Sequence, residues 1–103
     1  ITTDAPDRAV LEQALICGKI LCHDQGFGMI AAASRHFGWS LNGAANARVW
    51  RAGCIIRSAM LDDMASALEA APDAPLMAAP IFAEHLKRTE GALRRVVALA
   101  ALH

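Results

Sequence analysis

The stretch from Leu11 to Gly38, LEQALICGKILCHDQGFGMIAAASRHFG, decides the fold. Its apolar residues recur at helical spacing. With Glu12 set at zero on a wheel stepping about 100° per residue, Lys19 and His23 fall within about 20° of it. Leu11, Leu15, Cys22 and Met29 line one side of that polar strip. Ile16, Ile20 and Phe27 form a second apolar stripe on the other side. A helix that is apolar on two sides is covered on two sides. In a chain of 103 residues, part of that cover is expected from another domain or subunit. The helix is expected to begin at Thr3 or Asp4 as N-cap, with Pro6 and Asp7 in its first turn. It is expected to run to about Phe37 and stop at Gly38. Gly18, Gly26 and Gly28 each weaken it, and a break would fall near Gln25–Gly28.

Working outward, Ser40-Leu41-Asn42 reads as a cap region for a short helix from about Gly43 to Arg51, ended by Ala52-Gly53. Cys54-Ile55-Ile56-Arg57-Ser58 leads into a third helix that ends before Pro72. Pro72-Asp73-Ala74-Pro75 reads as a turn or a short helical start. Ala79-Pro80 opens the last helix, with Pro80 near its first position. Along it, Glu84–Arg88 and Glu90–Arg94 stand at the spacing of ion pairs. The expectation is an all-α chain in one domain, with a long first helix and three to four more.

Composition agrees. Ala fills 23 of the 103 positions, aromatics are 5%, and Tyr is absent. Ala is the strongest helix former, and sparse β-branched residues disfavour sheet. Hydrophobic residues make up 55% of the chain, too many for a disordered tail. Ten basic residues balance ten acidic ones, so bulk charge draws the chain to neither nucleic acid nor anionic membrane. The longest run without Asp, Glu, Lys or Arg is the twelve residues from His36 to Ala47. A membrane span needs about 20 mostly apolar residues, so none is expected. Ile1-Thr2-Thr3-Asp4 is not the start of a signal peptide, and the missing initiator Met fits a piece of a longer protein. Cys17, Cys22 and Cys54 cannot all pair within one chain. Cys17 and Cys22 stand about 140° apart on a helix, which points to free thiols and a cytoplasmic setting.

The chemistry-bearing residues do not converge. Gly26-Phe27-Gly28-Met29-Ile30-Ala31 reads G-x-G-x-x-A, but a dinucleotide fingerprint follows a strand and opens a helix, and here a helical pattern precedes it. Close helix packing at the glycines is the better reading. Cys22-His23-Asp24 offers three metal-ligand types in a row, yet neighbours on a helix diverge by about 100° and cannot share one metal. Cys54, flanked by Arg51 and Arg57, reads as a buried structural thiol. Arg48, Arg51 and Arg57 around Trp50 read as ion pairs and packing rather than as a nucleic-acid patch. Trp50 is expected to be substantially buried. The residues taken alone describe a helical domain with extra apolar surface and identify no reaction.

Three blocks resemble the C-terminal domain of decarboxylating 6-phosphogluconate dehydrogenase. They are Lys19-Ile20-Leu21-Cys22-His23-Asp24-Gln25-Gly26-Phe27, Phe37-Gly38-Trp39-Ser40-Leu41-Asn42, and Val49-Trp50-Arg51-Ala52-Gly53-Cys54-Ile55-Ile56-Arg57-Ser58. The family's versions read K-I-x-S-Y-A-Q-G-F, G-W-x-L-N and W-R-G-G-C-I-I-R, at the same separation. Arg94-Arg95-Val96 is similar to the family's following helix. The departures are Cys22-His23-Asp24 for S-Y-A, Ala52 for the first Gly of W-R-G-G, and the polar Asn46 and Arg48 before Trp50.

The resemblance implies an enzyme that oxidises 6-phosphogluconate with NADP and releases CO₂, giving ribulose 5-phosphate in the pentose phosphate pathway. In that family the cofactor lies on an N-terminal Rossmann domain, and the catalytic lysine and glutamate precede the present segment. Further substrate-holding Arg and His come from a C-terminal tail. Residues 1–103 then form a truncated helical domain lacking both parts. No catalytic, cofactor-binding, substrate-binding or metal residue is carried over. Lys19, Gln25, Gly26, Trp50, Arg51, Gly53 and Arg57 are carried over only as the structural signature. A homodimer is implied, and the segment alone is expected to be inactive. The alternative is a stand-alone helical interaction module without catalytic activity.

Overall fold

The computed structural model describes residues 5–51 and 60–103. Helix α1 spans Arg8–Phe37, α2 Gly43–Trp50, α3 Leu61–Ala70 and α4 Pro80–Leu102, with a 3₁₀ turn at Leu76–Ala78 before α4. The all-α expectation holds throughout the described residues.

Helix α1 is one unbroken rod of 30 residues, about 45 Å long at 1.5 Å per residue. Its N-cap is Asp7, whose Oδ1 accepts from the Val10 amide at 2.9 Å. This corrects the expected start. Asp7 has extended backbone and its side chain reaches the third helical amide, so Pro6 and Asp7 precede the helix instead of forming its first turn. Thr3 and Asp4 lie outside the described residues. The stop at Gly38 is as expected. Gly38 takes the left-handed conformation at φ 68°, and its amide bonds the Ser34 carbonyl.

The helix does not break at Gln25–Gly28. Phe27, between the two glycines, is buried in the core, and tertiary packing outweighs the propensity cost of Gly26 and Gly28. Nor do these glycines mark close packing. A Cβ placed on Gly18, Gly26 or Gly28 would meet nothing within 4 Å. The close approach occurs at Gly43, where a Cβ would come 3.3 Å from Leu68 Cδ1 as α2 crosses α3.

Helix α4 runs back along α1. Asp24 of α1 meets Met77 just ahead of α4, while Cys17 and Leu21, earlier in α1, face Leu86, Glu90 and Leu93, further along α4. Asn42 caps α2, its Oδ1 accepting from the Ala45 amide at 3.0 Å. Pro80 is the first residue of α4. Ile20 and Phe27 of α1, Ala44 and Ala47 of α2, Leu61, Met64, Ala65 and Leu68 of α3, Leu76, and Phe82 of α4 make one core. Two buried polar residues are satisfied locally. Ser34 Oγ accepts from the Leu41 amide at 2.8 Å, and Thr89 Oγ1 donates to the His85 carbonyl at 2.7 Å.

The two stripes of α1 have opposite fates. Ile20 and Phe27 are 0% and 5% exposed, and Ile16 packs at the core's edge. Leu11, Leu15 and Met29 are 43%, 66% and 69% exposed, and Cys22 is exposed with them. The molecule extends 52 × 27 × 24 Å, too slender to wrap α1 on all sides.

Candidate functional site

The first and third sequence blocks meet at one place. Phe27, which ends the first block, stacks on Trp50 of the third, ring centroids 4.9 Å apart and planes 25° from parallel. His23 stands one turn back on α1, its ring 6.3 Å from that of Phe27. Trp50 is half-buried, less enclosed than expected, and packs against the core. The second block forms the corner between α1 and α2. There Phe37 stacks on Trp39 at 4.9 Å, and His36 meets Phe37 edge-on at 4.7 Å.

The signature residues divide between two locations. Lys19, Gln25 and Gly26 lie on α1; Lys19 and Gln25 are exposed and Gly26 is half-exposed. Trp50 and Arg51 lie at the end of α2, and Arg51 Nη1 pairs with Asp62 Oδ1 of α3 at 2.7 Å. Gly53, Arg57 and Cys54 fall outside the described residues. Among the described residues, the stacking of Phe27, next to Gly26, on Trp50 brings the two groups together.

The two described arginines beside Trp50 form ion pairs. Arg48 pairs with Glu69 and Arg51 with Asp62, so α2 is tied to α3 by two ion pairs. Both pairs are solvent-exposed, which limits each to about 0.2–1 kcal/mol. On α4, Glu90 pairs with Arg94 at 2.6 Å as expected. Arg88 turns instead to Nδ1 of His85 at 3.0 Å, not to Glu84.

Cys22-His23-Asp24 splays as helical geometry requires. Cys22 is exposed, and the His23 Nδ1–H donates to the Lys19 carbonyl at 2.8 Å. Asp24 Oδ1 accepts from the Met77 amide at 3.1 Å. That contact, spanning 53 positions of sequence, ties α1 to the 3₁₀ turn and had no signal in the sequence. Cys17 is buried and unpaired.

A cleft of about 460 Å³ lies between α1, α2 and the end of α3, lined by Phe27, Ser34, Arg35, Asn42, Leu68 and Asp73 among others. Its polar groups are one cation, Arg35, two carboxylates, Glu69 and Asp73, and neutral side chains. Among the described residues no cluster of three His, Cys, Asp or Glu side chains is placed to hold a metal ion. No described helix is long and apolar enough to cross a membrane. What the described residues do present is a helical scaffold with exposed apolar side chains on α1.

Comparison with known proteins accounts for that architecture. Residues 4–103 match the family model described as 6-phosphogluconate dehydrogenase, C-terminal domain. A decarboxylating 6-phosphogluconate dehydrogenase of Saccharomyces cerevisiae is 43% identical over 94 residues, which are 90% of this chain and 19% of the yeast protein. A chloroplastic enzyme of the same name from Spinacia oleracea is 41% identical over 91 residues, 87% of this chain and 17% of the spinach protein. Among solved structures, the Plasmodium falciparum 6-phosphogluconate dehydrogenase superposes with a TM-score of 0.85 at 34% identity. It covers 90% of this chain, and the match takes in 20% of the Plasmodium chain. That enzyme is described in its apo form, with its cofactor NADP+ and with its substrate 6-phosphogluconate. The present chain thus spans about a fifth of the length of the proteins it matches. The family model, the relatives and the superposition agree on the family, and the model gives the region: this chain belongs to the 6-phosphogluconate dehydrogenase family, within its C-terminal domain.

Proposed function

We propose that residues 1–103 are the architectural, dimer-forming part of a decarboxylating 6-phosphogluconate dehydrogenase. The parent enzyme oxidises 6-phosphogluconate with NADP and releases CO₂, giving ribulose 5-phosphate in the pentose phosphate pathway. A Rossmann domain holds the cofactor, and residues outside this segment hold the substrate and move the protons. The helices supply one wall of the substrate cleft and the contact surface of a homodimer. The reading places the enzyme in the cytoplasm, on the strength of its free thiols.

The observation that carries the architectural role is the split of α1. One apolar stripe is spent on the core, while Leu11, Leu15 and Met29 stay exposed along the same rod. A contiguous apolar strip of this kind usually marks an interface. The scattered polar groups support the complementary half of the reading, since general acid–base chemistry needs partners within hydrogen-bond reach.

The test uses both the segment and the whole enzyme that carries it. The purified segment, given NADP and 6-phosphogluconate, is expected to produce no NADPH; production would overturn the architectural reading. In the whole enzyme, Leu15→Glu is expected to shift the dimer toward monomer in sedimentation. An unchanged dimer would remove this face from the interface.

A further inference from the structure

We draw no further inference here: the strongest candidate, the exposed aromatic corner between α1 and α2 where Phe37 stacks on Trp39 beside His36 and Leu41, is an unpartnered apolar patch, and nothing in the structure shows what covers it.

Discussion

The indole of Trp50 lies over the ring of Phe27 at 4.9 Å, joining the end of α2 to the middle of α1. The two partners are unequally buried. Phe27 is 5% exposed, whereas Trp50 is half-buried. Phe27→Ala is therefore expected to cost about 3–5 kcal/mol, the range for a large aromatic removed from a core. Trp50→Ala should cost roughly half that, because less apolar area returns to water. Denaturant unfolding of the two variants checks the order. A larger loss at Trp50 would mean that the core is centred on α2 and not on α1.

Asp24 anchors the approach to α4 through the Met77 amide. Asp24→Ala leaves that amide without its acceptor, and the expected loss is about 1 kcal/mol, typical of one hydrogen bond. Asp24→Asn keeps an oxygen at the same place and should lose much less. Hydrogen exchange at Met77 reads the effect locally: protection should fall in the alanine variant and largely survive in the asparagine one. Protection in the alanine variant equal to that of the unsubstituted chain would show that the bond contributes nothing.

Much of the fold was legible because it depends on neighbours in sequence. Gly38 stops α1, Asn42 caps α2 and Pro80 opens α4 as their chemistry dictates. The start of α1 was misread, since Asp4 and Asp7 are both good caps and only the chain's path selects between them. The wheel found two apolar stripes on α1 but not which one is inside. That depends on where α3 and α4 lie, and Leu61, Met64 and Phe82 choose the Ile20 side. Gly26 and Gly28 misled for the same reason, because glycine is as compatible with an open face as with a tight crossing. The Asp24–Met77 tie was illegible because one half-buried carboxylate has no periodicity to betray it.

Ser40 is the one non-glycine among the described residues with positive φ, at 55°. A side chain in the left-handed region costs an L-residue about 1–2 kcal/mol. The turn keeps it there because Ser34 Oγ holds the next amide, that of Leu41, at 2.8 Å. Ser40→Gly is expected to raise stability by up to about 1 kcal/mol, the strain relieved being partly offset by greater freedom of the unfolded chain. Ser34→Ala should act oppositely, leaving the Leu41 amide without that partner. Thermal melts compare the two, and a destabilised glycine variant would mean that Ser40 carries a contact beyond its backbone.

Self-association of the isolated chain is expected to run through Leu11, Leu15 and Met29. Read from the sequence alone, the charge that should drive the chain toward monomer goes at Ile20, not at Leu15. The structure separates them: Ile20 is 0% exposed inside the core, while Leu15 is 66% exposed on the opposite stripe. Ile20→Glu would bury a carboxylate among aliphatic side chains, a change that costs several kcal/mol and unfolds a marginally stable domain. Leu15→Glu should leave the fold intact, because surface substitutions away from special features usually change stability by less than about 0.5 kcal/mol. It should nevertheless disrupt the association, since a charge at the centre of an apolar contact must be desolvated when the contact forms. Sedimentation at high micromolar concentration, paired with circular dichroism, distinguishes the outcomes. Leu15→Glu is expected to be helical and monomeric, Ile20→Glu to lose helix, and the parent chain to form a larger species. A parent chain that sediments as a monomer would refute self-association. A Leu15→Glu chain that still associates would move the contact to another face, with the exposed Ile81 and Val97 of α4 the next residues to change.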